Sequence, residues 1–204
     1  MTPGQALPPG QSLAPGQPLA PGQPPTPDQP LTPGRPSAPD GAERGGAPRP
    51  APLPASALPP AAFRAAARIR FGHCDPAGIV FFANWFVLAN GAMEDLFRER
   101  LGIDYHELHG ARGIGTGYVH AAATFMRPGL MGDEVALTPL IRRVGGASYA
   151  IDLHIHRGEE ELARLDLVTA TTNLAARRSV PVPPDLRAAL LRYRAECGAE
   201  GGSE

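Results

Sequence analysis

The chain has 204 residues, 43% of them hydrophobic, with a formal net charge of −1 at pH 7, which suits one ordinary globular domain. All 19 basic residues are arginine, but near-neutral charge and the lack of a basic cluster with interleaved aromatics argue against a nucleic-acid-binding surface. No apolar run is long enough to span a membrane, and two cysteines are too few for a disulfide framework, so we expect a cytoplasmic protein without membrane partners.

Residues 1–62 form a proline-rich extension. They hold 19 of the 25 prolines, and a Pro-Gly-Gln triplet recurs every six residues from Pro3 to Gln23. Proline at this density prevents strand pairing, and the few large apolar side chains cannot offset the entropy of ordering the chain. We therefore predict a disordered extension over 1–62, one domain over 63–197 and a flexible tail over 198–204.

The domain opens with a predicted strand and a predicted helix. Alternating apolar side chains from Phe63 to Phe71 indicate a strand, with both of these phenylalanines on its inner face. From Phe82 to Leu101, apolar residues recur at helical spacing, and Gly102 is suited to end the helix. The apolar face of this helix is so wide that other structure must surround it.

Asp75 lies in the Pro/Gly bend that joins these two elements. An aspartate before a proline often caps a bend, and this is one interpretation of Asp75. The other is catalytic, because the unpaired N–H groups at a helix start can hold the oxyanion that forms when a carbonyl is attacked. The same bend contains Cys74, which we interpret as a small buried side chain rather than a nucleophile.

Four further strands and a second helix follow, with tight turns between the strands. Long strands joined in this way indicate an antiparallel sheet, and one buried helix with five strands indicates the α+β class. The last segment is predicted to be a surface helix. The predicted elements are Tyr118–Met126, Glu134–Val144, Ser148–His156, Leu162–Leu174 and the helix Pro184–Glu196.

Two patterns in this region suggest other chemistry. The glycines from Gly113 to Gly117 resemble a phosphate-binding loop, but this loop leads into a strand rather than a helix. Asp152, His154 and His156 alternate along one face of a strand and could bind a metal ion. A solvated sheet face explains the same alternation, and we favour it, so we predict no metal site.

The bend itself carries a family resemblance. It resembles the signature of the 4-hydroxybenzoyl-CoA thioesterase family of hotdog-fold enzymes through the run Cys74-Asp75-Pro76-Ala77-Gly78-Ile79-Val80-Phe81-Phe82. The likeness continues more weakly to Leu186. It implies a hotdog fold, in which an antiparallel five-stranded sheet wraps around a central helix. It also implies a homo-oligomer, a dimer or a homotetramer, with its sites at subunit interfaces.

The resemblance assigns roles to individual residues. Asp75 would be the catalytic acid, as nucleophile or as general base, and the backbone N–H of Phe82 would hold the oxyanion. Arg142 and Arg143 are candidates for contacting CoA, although Val144-Gly145-Gly146-Ala147 stands where the family has a basic cluster. The substrate-binding residues that it implies are Phe81, Asn84, Trp85, Asn90 and Thr116, and family members have an acidic residue in place of Asn90.

The predicted function is that of a thioester hydrolase. It would cleave an aromatic acyl-CoA, with 4-hydroxybenzoyl-CoA as the expected substrate, to the free acid and CoA. No cofactor is implied, because CoA is part of the substrate. Two alternatives stay open: a short-chain or general acyl-CoA thioesterase of the same superfamily, and a non-catalytic hotdog subunit that binds acyl-CoA or an acyl carrier.

Overall fold

The structure, a computed structural model, describes residues 50–198. Short 3₁₀ turns at Ala55–Ala57 and Phe71–His73 accompany the main elements. In chain order these are β1 (Ala65–Arg68), α1 (Asn84–Leu96), α2 (Tyr105–His109), β2 (Ile114–Phe125), β3 (Glu134–Val144), β4 (Ser148–Arg157), β5 (Glu160–Asn173), β6 (Arg178–Ser179) and α3 (Pro184–Glu196).

The strands form one antiparallel sheet in the order β1-β3-β4-β5-β2, and the short β6 pairs with β5. Inward-facing residues such as Ile151, Leu153 and Ile155 are fully buried, as their alternation predicts. β2 occupies one end of this order, so its outer edge has no neighbouring strand within residues 50–198. That free edge lies beside the site described below.

Helix α1 packs against the inner face of the sheet. Its buried face includes Trp85, Met93 and Leu96, and the helix continues as a π-helical turn to Leu101. Gly102 ends it with φ +69°, a conformation that glycine adopts without strain. A sheet wrapped around such a helix is the arrangement expected of a hotdog fold. None of the helices in residues 50–198 is long and apolar enough to cross a membrane.

Several predicted boundaries were wrong. β1 ends at Arg68 and Phe71 is 83% exposed, because the chain leaves the sheet after the buried Ile69. β2 begins at Ile114, so all of the glycine-rich run except Gly113 is part of the strand rather than its entrance. Within that run a side chain at Gly115 would lie 2.6 Å from Thr172, so glycine permits the close approach of β5.

Helix α3 docks onto the sheet through Leu186, Leu190 and Tyr193, which are almost completely buried. The Tyr193 hydroxyl donates to the carbonyl oxygen of Pro139 at 2.7 Å and accepts from the N–H of Phe63 at 3.0 Å. One hydroxyl therefore connects α3 to β3 and to the chain entering β1.

Replacing Tyr193 with Phe will destabilise the domain by about 1–3 kcal/mol, because it leaves the partly buried Phe63 N–H and the buried Pro139 carbonyl without this partner. Urea unfolding of the wild type and the variant measures the difference. Phe at this position retains the ring packing, so an unchanged free energy of unfolding would show that the two hydrogen bonds contribute nothing. An Arg192→Gln variant, at an exposed position of the same helix, is the control.

Residues 50–62, which the sequence assigns to the disordered extension, are bound to the domain. The N–H of Leu53 donates to Glu161 Oε2 at 2.7 Å, and the carbonyl of Leu53 accepts from His156 Nε2 at 2.9 Å. Leu58 is buried beyond this point. These partners lie about a hundred positions away in the chain, so composition could not reveal them. Residues 1–49 and 199–204, the rest of the predicted extension and tail, lie outside the described residues.

This segment covers the outer face of β4 and β5, and the prediction of a solvated face there was wrong. His154 and His156 are 4% and 1% exposed. His154 Nδ1 lies 2.7 Å from Glu161 Oε1, and Arg164 donates to Glu161 Oε2 at 2.7 Å. Two histidines and a carboxylate are thus buried in a hydrogen-bonded cluster beneath the segment. Within residues 50–198, no group of three or more His, Cys, Asp or Glu side chains is placed to hold a metal ion.

This cluster makes the stability of the domain depend on pH. Burial lowers the pKa of His154 from its ordinary value of 6.5, outweighing the hydrogen bond to Glu161. Burial raises the pKa of Glu161, but hydrogen bonds from Arg164 and from the Leu53 N–H outweigh it and leave the pKa below 4.5. Both groups bind protons more readily in the unfolded chain, so stability is greatest above pH 6.5 and falls as the pH falls.

Substituting His154 with Gln will remove the part of this loss that begins at about pH 6.5, since Gln does not titrate, and will leave the Glu161 part, which begins at about pH 4.5. Urea unfolding of the wild type and the variant between about pH 7.5 and 5 measures it. The wild type is expected to lose more stability than the variant over this range, whatever their difference at neutral pH. Equal slopes would mean that His154 does not contribute to the pH dependence.

Candidate active site

The Asp75 turn fixes one carboxylate at the start of α1. The N–H of Asp75 donates to the carbonyl of Ile79 at 2.9 Å, and the N–H of Gly78 donates to the carbonyl of Asp75 at 2.9 Å. Asp75 Oδ1 accepts from the N–H of Ala77 at 2.8 Å. The Asp75 side chain is therefore held by a hydrogen bond within its own turn. Within residues 50–198, its Oδ2 has no hydrogen-bond partner.

The backbone at the start of α1 supplies unpaired donors. The N–H of Phe81 donates to the carbonyl of His73, and the N–H of Asn84 donates to the carbonyl of Phe81. Between them, the N–H groups of Phe82 and Ala83 have no acceptor anywhere in the described part of the chain. Such groups, together with the helix dipole, stabilise negative charge on an oxygen placed before the helix.

Asp75 and the start of α1 share a pocket of about 470 Å³, here called the Asp75 pocket. Trp85 is almost completely buried and closes it from the helix side. A side chain at Gly129 would come within 2.7 Å of the Trp85 ring, so the chain beyond β2 packs tightly against this wall. The pocket is lined by Asp75, Ile79, Val80, Phe81, Phe82, Trp85, Phe125, Met126, Arg127, Pro128 and Gly129.

Four of the predicted site residues meet in this pocket: Asp75, Phe81, Phe82 and Trp85. Arg127 also lines this pocket, although it was not predicted as a site residue, and its Nε lies 3.3 Å from Glu160 Oε1. In the sequence, Arg127 directly follows the predicted strand Tyr118–Met126. Arg127 lies far from Asp75 in the sequence, so only the tertiary structure brings it to the Asp75 pocket.

Asn84 has a different place from the predicted one. It does not line the Asp75 pocket, and its Nδ2 donates to the carbonyl oxygen of His73 at 2.9 Å. The ring of His73 in turn accepts from the N–H of Arg70 at 3.0 Å. Asn84 therefore fastens α1 to the chain just before Asp75. Cys74 is half-buried there, and its thiol lies 3.6 Å from the Arg70 carbonyl.

The remaining two predicted substrate-binding residues are Asn90 on α1 and Thr116 near the start of β2, far from the end of β2 that lines the Asp75 pocket. They line a second cavity of about 260 Å³, here called the Tyr105 pocket. Within one chain this cavity shares no lining residue with the Asp75 pocket. Its walls are Asn90, Glu94, Tyr105, Thr116, Gly117 and Tyr118.

The Tyr105 pocket is rich in hydroxyl groups. The Thr116 hydroxyl lies 2.9 Å from the Tyr105 hydroxyl and 3.0 Å from His109 Nε2. Burial raises the pKa of Tyr105, the hydrogen bond with Thr116 opposes this, and Glu94 adds to it. Burial also raises the pKa of Tyr118. Both phenols therefore keep their protons at neutral pH.

The sequence analysis also missed Tyr105 and His109. They lie one turn apart on the short helix α2, whose N-cap Asp104 accepts from the N–H of Glu107 at 2.7 Å. A capping aspartate before an i, i+4 pair was a usable signal for this helix. Contact between this pair and Thr116 on β2 could not be predicted from the sequence.

The two arginines predicted to contact CoA lie apart from Asp75. Arg142 donates to Asp152 at 2.8 Å and to Asp166 at 2.9 Å, on the outer face of the sheet. Arg143 is exposed at an irregularity in the pairing of β3 with β4. Neither lines the Asp75 pocket, and the guanidinium of Arg142 already has two carboxylate partners.

Comparison with known proteins identifies the family. Residues 69–190 match the model of the thioesterase-like superfamily. The chain is 26% identical over 120 residues to the 1,4-dihydroxy-2-naphthoyl-CoA hydrolase of Synechococcus elongatus, covering 58% of this chain and 88% of that protein.

Two solved thioesterase structures have the same fold as this chain. A 1,4-dihydroxy-2-naphthoyl-CoA thioesterase from Synechocystis superposes with a TM-score of 0.59 at 20% identity, over 63% of this chain and 95% of that one. A gentisyl-coenzyme A thioesterase superposes with a TM-score of 0.58 at 27% identity, over 63% of this chain and 99% of that one.

These matches confirm the predicted hotdog fold and the predicted enzyme class. The family they identify is broader than the 4-hydroxybenzoyl-CoA thioesterases whose signature the bend resembles. The chain belongs to the thioesterase-like superfamily, and it is a thioester hydrolase with a hotdog fold.

Proposed function

We propose that this protein hydrolyses an aromatic acyl-CoA to the free acid and CoA, with Asp75 as its catalytic carboxylate. One observation carries the proposal: Asp75 and Phe82 line the same aromatic-walled pocket, and within residues 50–198 neither the Asp75 Oδ2 nor the Phe82 N–H has a hydrogen-bond partner. A thioester carbonyl seated there has an attacking group on one side and an oxyanion donor on the other.

The donors at the start of α1 act on the carbonyl oxygen of the substrate. As the carbonyl carbon becomes tetrahedral, its oxygen gains negative charge, and the fixed N–H of Phe82 stabilises this charge without reorganisation. Asn84 supports the geometry, since its hydrogen bond to the His73 carbonyl holds the chain that carries Asp75 against the helix.

Asp75 can act in two ways. As a nucleophile, a carboxylate oxygen bonds to the acyl carbon, the C–S bond breaks, and the CoA thiolate leaves and takes a proton from water. Water then hydrolyses the mixed anhydride and regenerates the carboxylate. As a general base, Asp75 removes a proton from water, the hydroxide adds to the acyl carbon, and that proton passes to the departing thiolate.

The complete site requires a second copy of the chain. The free edge of β2 exposes Val119, which is 69% accessible, beside the exposed Ala121 and Ala122. An unpaired edge of this length is a surface that proteins normally cover. Antiparallel pairing of two β2 edges about a two-fold axis near His120 brings position 116 of one chain opposite position 124 of its partner.

This pairing brings the two pockets together. The Asp75 pocket of one chain, which includes Phe125 and Met126, then meets the Tyr105 pocket of the other, which includes Thr116. The thioester would lie at Asp75, and the acyl group would extend towards the partner's Tyr105. A homotetramer built from such dimers and a cytoplasmic location stay predictions.

The walls of the joined pocket favour an aromatic acyl group. Phe81, Phe82 and Trp85 provide flat apolar surface around the thioester, and Tyr105 and Tyr118 lie at the far end. The related proteins are named for naphthoyl-CoA and gentisyl-CoA, both thioesters of hydroxylated aromatic acids. The 4-hydroxybenzoyl group, expected from the resemblance, is the smallest of the three and is our proposed substrate.

The test is the steady-state release of CoA thiol from a panel of thioesters. The panel contains 4-hydroxybenzoyl-CoA, gentisyl-CoA, 1,4-dihydroxy-2-naphthoyl-CoA, benzoyl-CoA and butyryl-CoA. The proposal expects kcat/KM for at least one aryl thioester to exceed that for butyryl-CoA by a factor of ten or more, which is about 1.4 kcal/mol in transition-state binding. Faster turnover of butyryl-CoA would overturn the aromatic assignment, and binding without turnover of any member would favour a non-catalytic subunit.

A further inference from the structure

A third cavity lies on the outer face of the sheet, on the side of β1. Its volume is about 530 Å³, within the range of small-molecule sites, and it is here called the outer cavity. Ala55, in the segment that covers this face, forms part of its wall. The outer cavity has no lining residue in common with the Asp75 pocket or the Tyr105 pocket, so the proposed reaction leaves it without a role.

The register of the sheet gives the outer cavity a flat floor. Ala66 on β1 pairs with Ala136 on β3, and Ala136 pairs with His156 on β4. Paired residues of neighbouring strands point to the same face, so the three form one row that crosses about 10 Å of the outer face. Two members of the row carry only a methyl group, and the third is an imidazole. A planar ring can therefore lie against the two methyl groups with one edge towards His156.

The His156 ring, which lines the outer cavity, has an unpaired acceptor. Its Nε2 lies 2.9 Å from the backbone carbonyl oxygen of Leu53, which can only accept, so Nε2 carries the hydrogen. In the neutral ring Nδ1 is then an acceptor, and within residues 50–198 this buried atom has no hydrogen-bond partner. An unpaired buried acceptor costs free energy, so a ligand that brings an O–H or N–H group to it gains affinity.

The arginines of β1 and the chain before it make the outer cavity attractive to an anion. Arg64 and Arg68 line it on either side of Ala66, with Glu134 as the opposing charge. The Arg64 guanidinium already donates to three backbone carbonyls of the preceding segment. Arg68 is exposed and forms no ion pair or hydrogen bond through its side chain with any residue that the structure describes. Its guanidinium is therefore available to bind a carboxylate.

We propose that the outer cavity is a second ligand site, which binds a small aromatic carboxylic acid that carries a hydroxyl group. The ring lies on the floor formed by Ala66 and Ala136, the carboxylate pairs with Arg68, and the hydroxyl donates to His156 Nδ1. A para-hydroxylated benzoate has its two polar groups at opposite ends of the ring, as this arrangement requires. The site goes beyond the proposed function, which contributes only the observation that acids of this class are the products of the proposed reaction.

The first test follows 4-hydroxybenzoate by NMR of the full chain labelled at the alanine methyl groups. Ala66→Gly and Ala136→Gly assign the two floor signals. Trp85, the only tryptophan, lines the Asp75 pocket, so its fluorescence reports separately on binding of the same acid there. We expect both floor signals to move, with a saturation curve different from that of the fluorescence. A fluorescence change while the floor signals stay fixed, or no response at all, would overturn the proposal.

Two analogues test the polar contacts. Benzoate lacks the hydroxyl and 4-hydroxybenzamide lacks the charge, so each should bind the outer cavity about tenfold or more weakly than 4-hydroxybenzoate. In protein labelled with ¹⁵N-histidine, the Nδ1 resonance of His156 should shift with 4-hydroxybenzoate and stay in place with benzoate. Equal affinities for the three compounds would show that the cavity is an apolar groove without recognition of an acid.

Two exposed positions test the protein side of the site. Ala66→Leu fills the floor and should weaken 4-hydroxybenzoate binding, followed at the Ala136 methyl, by about tenfold or more, with the Trp85 response unchanged. Arg68→Gln should weaken 4-hydroxybenzoate to a similar extent and leave the uncharged amide unaffected. Ala188→Leu, at an exposed position of α3, is the control. Binding that neither Ala66→Leu nor Arg68→Gln changes would place the acid elsewhere and overturn the proposal.

These readouts do not depend on turnover, so this inference and the proposed function can fail separately. Floor signals that do not respond, in a protein that cleaves aryl thioesters, reject the outer site alone. Floor signals that respond, in a protein that prefers butyryl-CoA, reject the aromatic assignment of the reaction and leave the outer site in place.

Discussion

Asp75→Asn will lower kcat for 4-hydroxybenzoyl-CoA by about 10³- to 10⁴-fold, with little change in the dissociation constant of the substrate. The amide oxygen of Asn can still accept from the N–H of Ala77, as Asp75 Oδ1 does at 2.8 Å, so the turn is retained. What the substitution removes is the negative charge and basicity of the second oxygen. Both the nucleophilic and the general-base route need that oxygen, so both predict a loss of this size.

The comparison requires a control for the charge change alone. Asp95→Asn removes a carboxylate from helix α1, where the partly exposed side chain is paired with Arg98, and should leave kcat within about twofold. Loss of activity in Asp75→Asn of less than about tenfold would mean that the carboxylate only caps its turn. Thermal unfolding of both variants verifies that the fold is intact.

A second experiment separates the two routes for Asp75. In a single turnover, the nucleophilic route forms an anhydride between the acyl group and Asp75, which borohydride reduces to an alcohol on that side chain. Peptide mass spectrometry then finds the reduced residue within the peptide that contains Asp75. The general-base route leaves the side chain unmodified, although the rate of CoA release is the same.

The parts of this molecule that sequence predicted are those set by neighbouring residues. The Asp75 turn, the start of α1 and the alternation along β4 each depend on fewer than about twenty consecutive residues, so periodicity and turn chemistry were sufficient. The contiguous run from Cys74 to Phe82 also carried the family resemblance. For these elements the local signals and the tertiary structure agree.

The parts that sequence did not predict depend on contacts between distant residues. The Leu53 backbone meets Glu161 across 108 positions, and this contact turns a supposedly solvated face into a buried one. The guanidinium of Arg142 forms ion pairs with Asp152 and Asp166, and the residues around Arg142 in the sequence do not reveal this. Similarly, the polar character of the Tyr105 pocket arises only when α2 meets β2.

The need for two chains leads to a second large effect. Val119→Asp will convert the protein to a monomer and lower kcat/KM for 4-hydroxybenzoyl-CoA by about 100-fold or more. Val119 lies at the irregularity where β2 leaves its register with β5, and its side chain is 69% exposed, so the charge costs the isolated chain little. In the proposed dimer, position 119 of one chain lies opposite position 121 of its partner, so the two new carboxylates would be diagonal neighbours close to the two-fold axis, where like charges oppose pairing.

Light scattering and CoA release, measured on the same samples, test this prediction. Ala188→Asp, which adds the same charge at an exposed position of α3, should keep the wild-type mass and activity. A monomeric Val119→Asp with full activity would show that one chain holds a complete site. An oligomer that survives the substitution would show that the β2 edges do not pair. Because the Asp75 pocket and the Tyr105 pocket have no lining residue in common within one chain, we expect mass and activity to fall together.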